Sequence, residues 1–313
     1  MNYLLRRGCT LIITLLFVSM ITFVLFQLIP GDPALAILGL DAEEGQIQEL
    51  HAQLGLELPM HMRYIHWMSN VLKGDFGASI RFSRPVVDLI YSRLPVTLSL
   101  AIMSIGIAII VAIPLGILAV RSHNKGSDYL ISIITQLGMA IPSFWLGIIF
   151  ILIFGLKLGW FIPGRYIPWN ESMIGAFKSL LFPSLAMSIP VIAVIIRYLR
   201  TSLLEQMKLD YVRTAYSKGF SKKLVVYRHV LKNALIPVIT VIGMMVASVL
   251  GGSLVIEQVF ALPGLGRLLV ASIKYRDIFL IQGIVMYIAS VVIGINFIID
   301  ILYKSLDPRI QIK

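Results

Sequence analysis

The sequence predicts an all-α integral membrane protein that crosses the bilayer six times, and three observations predict it. Of its 313 residues, 58% are hydrophobic and only 14% are charged, whereas soluble domains carry about a quarter charged residues. The charges are clustered, which leaves six apolar stretches near 9–29, 94–120, 129–156, 179–199, 234–256 and 278–302. Each supplies the roughly 20 apolar residues that a helix needs to cross a hydrocarbon layer about 30 Å thick. The net charge is +11, but the Lys and Arg residues lie between the apolar stretches. Membrane topology accounts for them there, and no nucleic-acid partner is needed.

The first stretch follows Arg6 and Arg7 and ends in Gln27-Leu28-Ile29-Pro30-Gly31. It is too long for a signal-peptide core and lacks a small-residue cleavage site, so it reads as a retained anchor. Cys9 is the single cysteine, which excludes an intramolecular disulfide and a cysteine metal cluster. Residues 30–93 are too long for a plain connector. Asp41 and Glu44 have capping-box spacing for one short helix. A second helix is expected from Pro59 to Lys73, with Met60, Tyr64, Trp67, Met68 and Val71 as an apolar stripe and Gly74 as its stop. That stripe suits packing on the membrane part of the same chain or docking of an external partner.

Charge bias orients the spans. With the N-terminus inside, the inner segments hold sixteen Lys and Arg, nine of them between the fourth and fifth spans, against six in the short outer loops. Both termini are therefore expected in the cytoplasm, with 30–93 outside. Pro95, Pro114, Pro142, Pro183, Pro190 and Pro237 fall within or beside the spans. Membrane helices tolerate proline, in static bundles as in moving ones, so these carry little weight.

The informative segment is the connection at about 200–233. Asp210 reads as an N-cap and Gly219 as a left-handed stop, with about two turns of helix between them. So short a helix needs something to pack against. Tyr211, Ala215 and Tyr216 offer apolar surface, and Arg213 and Lys218 offer charge. From these residues alone, a basic loop obeying the charge rule is the favoured reading over a docking helix.

The segment resembles the signature of binding-protein-dependent ABC importer permeases: Glu-Ala-Ala, three residues, Gly, nine residues, Ile-x-Leu-Pro. Ala215, Gly219 and Leu231 match in register, while Arg213, Thr214, His229 and Lys232 stand at its Glu, Ala, Ile and Pro. Those departures fit the dipeptide, oligopeptide and nickel branch, as do Asp210-Tyr-Val-Arg-Thr-Ala215, Arg228-His229 through Asn233 to Pro237, Leu28-Ile-Pro-Gly-Asp-Pro-Ala34, Gly74-Asp-Phe-Gly-Ala-Ser79, Glu257-Gln-Val-Phe260, Pro263-Gly-Leu-Gly266 and Asp307-Pro308-Arg309. The resemblance covers essentially the whole chain.

It implies a type I ABC importer permease-like fold, with a partly helical extracytoplasmic loop after the first helix, in a bacterial or archaeal plasma membrane. The implied organisation is a tip and first helix over 1–29, the loop domain 30–93, a five-helix core 94–303 carrying the coupling loop, and a tail 304–313. It also implies partners: a second homologous permease, two ATPase subunits or domains, and an extracytoplasmic solute-binding protein. ATP and Mg would be bound by the ATPases and no cofactor by this chain. The implied coupling residues are Asp210, Tyr211, Arg213, Thr214, Ala215, Lys218, Gly219 and Leu231.

The absences agree. No G-x-x-x-x-G-K-[ST] phosphate loop occurs. No charged residue lies deep in a span to relay protons, which disfavours an autonomous secondary transporter. No protease constellation or zinc-helix spacing is present. A translocation path is expected among uncharged polar residues, with Gln136, Ser143, Ser184, Ser188, Ser248, Ser253, Gln282 and Asn296 as candidates, although interhelical hydrogen bonding would also explain them. Small peptides lead the substrate classes, with nickel, metal-chelator complexes or glutathione as alternatives.

Overall fold

In the computed structural model, residues 2–27, 35, 38, 43–53 and 57–306 are described. Among them the chain is helical, with one isolated β-bridge between Ala78 and Pro85. The elements are α1 (Asn2–Gln27), α2 (Glu44–Gln53), α3 (Met60–Leu72), α4 (Val86–Arg121), α5 (Gly126–Ala140), α6 (Ser143–Phe150, continued by a π-helix at Ile151–Lys157), α7 (Met173–Gln206), α8 (Asp210–Ser217), α9 (Leu231–Val259), α10 (Leu265–Lys274) and α11 (Ile278–Leu306). A helical turn at Lys222–Leu224 and a π-helix at Val225–Val230 lead directly into α9. The expected cap at Asp41 lies outside the described residues.

Among the described residues, five helices are long and apolar enough to cross a membrane: Leu5–Leu25, Val86–Arg121, Met173–Gln206, Val225–Val259 and Ile278–Ile301. The third span, expected near 129–156, is the pair α5 and α6, bent by 97°. Counted as one crossing, the pair makes six. Pro142 causes the bend, because its ring excludes the α conformation at the residue before it. Ile141 accordingly adopts φ −89° and ψ 122°, and Pro142 becomes the N-cap of α6. Pro183, Pro190 and Pro237 remain inside continuous helices. The helix carrying the second span starts at Val86, well before 94, and has 36 residues. Hydropathy finds only the apolar part of such a helix, whereas the hydrogen-bond ladder continues through Asp88, Ser92 and Arg93.

Packing groups the chain into two compact units, Met1–Pro95 with Gly264–Phe297, and Val96–Pro263 with Ile298–Lys313. In the first, Val86, Leu89, Ile90, Leu265, Leu268, Leu280 and Ile284 form a buried core. Gly283 lets α11 approach α4 here, since a Cβ on it would lie 2.4 Å from Val86 Cγ1. The fully buried Asp277 accepts from Ser79 Oγ at 2.5 Å, from Arg81 N at 3.2 Å and from Leu280 N at 3.2 Å. It thus caps α11 and ties the segment after α3 to it. Arg81 lies over the Tyr275 ring, 3.2 Å from its centroid. On α1, Ser19 meets the Tyr64 hydroxyl of α3 at 2.7 Å, and Phe23 packs against Tyr64 and Trp67. Tyr64 and Trp67 of the expected stripe therefore pack on α1 of their own chain.

In the second unit α7 is central and packs against α5, α6 and α9. Phe182 of α7 is stacked on Phe154 and Phe161. The fully buried Glu257 accepts from Thr97 Oγ1 at 2.5 Å.

Gly283→Ala should lower stability in detergent by about 1–3 kcal/mol, the usual cost of overpacking a full core. Gly106→Ala, where a Cβ meets nothing within 4 Å, should be neutral or stabilise by up to about 1 kcal/mol, because alanine restricts the unfolded helix backbone more than glycine does. Thermal unfolding of the two variants checks the pair.

Candidate functional site

The site is built at the end of α7. After Gln206 the chain makes one tight link, with Lys208 N bonding Glu205 O and Leu209 N bonding Gln206 O. Leu209 is then extended at φ −77° and ψ 152° and serves as the N-cap of α8. This corrects the expectation for Asp210, which is the first helical residue and makes no side-chain cap. Leu209 O already accepts from Val212 N, so the helix opens one residue earlier than expected. Asp210 still places a negative charge at the positive end of the helix dipole. Its carboxylate is 3.8 Å from Arg213, both almost fully exposed, and such a pair contributes little.

The stop matches expectation. Lys218 is the C-cap and Gly219 follows with φ +82°. Gly219 N bonds Tyr216 O, and Phe220 N bonds Ala215 O. Together these form a complete Schellman motif, which satisfies carbonyls that the helix end leaves free. A Cβ at Gly219 would meet nothing within 4 Å. Glycine is therefore favoured there by its backbone conformation and not by lack of space.

Two residues of α8 point inward. Val212 and Ala215 are buried, three apart on one face, and the helix packs on the π-helix Val225–Val230, whose Val225, Val226 and Val230 are buried too. Tyr211 donates its hydroxyl to Gln206 Oε1 at 2.9 Å, and Thr214 Oγ1 bonds Asp210 O at 3.0 Å. Phe220 stacks on His229 with centroids 5.9 Å apart. Ser202 Oγ donates to the Ala234 carbonyl at 3.0 Å, fastening α7 to α9. The outward face presents Asp210, Arg213, Thr214, Tyr216, Lys218 and Phe220. Of the expected coupling residues, all but Leu231 lie on α8 or its cap. Ala215 faces inward, and Leu231 is half-buried at the start of α9.

Sequence reasoning missed a second feature nearby. Asp128, in the first turn of α5, is buried and accepts from Arg200 of α7 through both oxygens, at 2.8 and 2.9 Å. The same carboxylate accepts from Asn124 N at 3.1 Å, and His123 Nδ1 lies 3.2 Å away. This clamp joins α5 to α7 ten residues before α8 begins. Its two halves are 72 positions apart in the chain, so no local pattern signals it.

The path candidates separate by environment. Ser184, Ser188, Ser253 and Gln282 are buried, and Ser188 and Ser253 bond backbone carbonyls of their own helices. Ser143 is half-buried at the start of α6, while Gln136, Ser248 and Asn296 are exposed.

The described residues thus hold long apolar helices and, at the end of α7, a two-turn helix with a buried inner face and an exposed outer one. Residues 112–312 match the family model of the binding-protein-dependent transport system inner membrane component, and residues 1–101 match the model of the N-terminal region of such components. The chain belongs to that family. The permease is 39% identical over 308 residues, 98% of each chain, to a Brucella abortus protein named for a peptide transport system permease. It is 37% identical over 99% of each chain to the oligopeptide transport system permease protein AppB of Bacillus subtilis. It is 39% identical over the full length of both chains to the glutathione transport system permease protein GsiC of Escherichia coli. Among solved structures, a chain of the MetNI methionine ABC transporter in an inward-facing conformation matches with a TM-score of 0.55, at 16% identity, over 70% of the permease and 96% of that chain. The fold is therefore that of an ABC importer permease, a multi-pass inner membrane protein.

Arg200→Ala leaves the Asp128 carboxylate buried without its main partner and should destabilise the permease by about 3 kcal/mol. Adding Asp128→Asn to Arg200→Ala should recover part of that loss, because it removes the buried charge. Thermal melts of the single and double variants in detergent decide the point.

Proposed function

We propose that the permease is the transmembrane subunit through which an ATP-binding-cassette importer moves small peptides into the cytoplasm. The observation that carries this reading is α8: a short helix with a Schellman stop, anchored inward by Val212 and Ala215 and outward-facing through charged and aromatic side chains. On this reading α8 sits in a groove of a cytoplasmic ATPase subunit. The rigid link to α7 and the π-helix link to α9 let a movement of that subunit pass to two spans as a rigid-body displacement. A second permease, two ATPases that bind ATP and Mg, and an extracytoplasmic solute-binding protein complete the machine, with transport by alternating access. The charge asymmetry around the spans supports cytoplasmic termini and an outside position for the segment between α1 and α4.

The names of the peptide and oligopeptide relatives support a peptide substrate. A second reading rests on the glutathione permease relative, which is equally similar over the whole length. Glutathione is itself a small peptide. Uptake of labelled dipeptide and of labelled glutathione, measured in vesicles holding the complete transporter with ATP inside, separates the two.

Gly219→Val forces a β-branched residue into a left-handed conformation, costing about 1–2 kcal/mol and hence about tenfold in the docked population. Uptake should fall accordingly while the permease still inserts in the membrane. Gly219→Asn, which tolerates that conformation, should keep most of the uptake. Equal uptake and ATPase activity in the valine variant and the parent would overturn the coupling role. Uptake by this chain reconstituted without any ATPase would overturn the importer reading altogether.

A further inference from the structure

The helix α3 has two apolar faces, and contact with α1 accounts for one. Tyr64 and Trp67 pack on Phe23, and Tyr64 bonds Ser19. The other face carries Met62, Ile65 and Leu72, at i, i+3 and i+10, which are 50%, 60% and 80% exposed. Arg63, His66, Asn70 and Lys73 gather in a narrow stripe at i, i+3, i+7 and i+10, while His61 and Ser69 fall among the residues of the open face. At 100° per residue that stripe covers about 80°, and the remainder of the circumference is mostly apolar.

The depth of α3 follows from its contacts. The apolar span of α1 runs from Leu5 to Leu25. Ser19 lies six residues inside the Leu25 end, about 9 Å along the axis at 1.5 Å per residue, and Phe23 lies about 3 Å inside it. Rings that touch Phe23, and a hydroxyl that reaches Ser19, hold α3 beside the last turns of a membrane span. A water-facing helix docked on a soluble partner would not expose Ile65 and Leu72 at that level. On α1 itself, Met20, Val24 and Leu25 are exposed at 51%, 42% and 55%, so the helix against which α3 packs also carries exposed apolar side chains at this end of its span.

We propose that α3 lies in the membrane interface, with Met62, Ile65 and Leu72 in contact with lipid acyl chains and the Arg63 to Lys73 stripe turned to headgroups and water. A wide apolar arc with a narrow basic stripe is the pattern of helices that lie along a bilayer surface, and Arg63 and Lys73 favour anionic headgroups. In the orientation proposed above this is the outer leaflet. The inference does not depend on substrate or coupling.

The test uses the complete transporter reconstituted into vesicles containing anionic lipid. Cys9 is replaced by Ser, and single cysteines at Ile65, Leu72 and Asn70 carry an environment-sensitive fluorophore. Lipids brominated on the acyl chain should quench most of the emission from positions 65 and 72 and little from position 70. Iodide in the buffer should do the reverse. Probes at 65 and 72 quenched by iodide and not by brominated lipid would overturn the proposal in favour of a water-exposed surface. Probes quenched by neither would overturn it in favour of cover by another protein chain.

Discussion

Within hydrocarbon a polar group can bond only to protein, and an unsatisfied one costs several kcal/mol. The architecture of this permease follows from that constraint. Three buried carboxylates illustrate it. Asp128 is met by Arg200 and Asn124, Glu257 by Thr97, and Asp277 by Ser79, Arg81 N and Leu280 N. None of the three lies in the middle of a helix. Asp128 is in the first turn of α5, Glu257 in the last turn of α9, and Asp277 immediately precedes α11. Each fixes the place where a span meets its connection. Ser104 and Ser290 turn their hydroxyls back on their own helices, to Leu100 O and Met286 O, whereas Ser184 Oγ and Thr240 Oγ1 are buried with no partner among the described residues.

Helix ends make a similar demand of α8. Its first and last turns carry backbone groups that the helix cannot satisfy itself. At the Gly219 end the Schellman bonds satisfy them, and the buried Val212 and Ala215 hold the helix against Val225–Val230. Two turns with a fixed stop, joined to α7 by three residues, leave little freedom for α8 to move without α7. The Asp128–Arg200 clamp then ties the end of α7 to α5. A displacement entering at α8 therefore meets a connected set of helix ends within one compact unit.

Much of this was legible in the sequence, for identifiable reasons. Span positions follow from apolar runs, and the stops at Gly74 and Gly219 follow from glycine's access to left-handed backbone, seen at φ +83° and +82°. The helix over Met60–Leu72 follows from periodicity. What was not legible depends on partners distant in sequence or on exact backbone placement. Asp128 and Arg200 are each unremarkable charges near span ends until the fold brings them together. The 97° bend at Pro142 could not be told from the prolines that α7 and α9 absorb, because that depends on which neighbours re-satisfy the freed carbonyls. Asp210 falls in the first turn and not at the cap because Leu209, extended after the tight link, already supplies the first helical acceptor.

The central claim is that the outward face of α8 is where another subunit's movement enters this chain. Site-specific photo-crosslinking from Tyr216, 40% exposed on that face, tests it most directly in membranes holding the complete transporter. A covalent adduct with the ATPase subunit is expected, with a yield that changes when ATP is added. Absence of an adduct from Tyr216, and from the neighbouring Leu209 and Phe220, in a transporter that retains ATP-dependent uptake would contradict it.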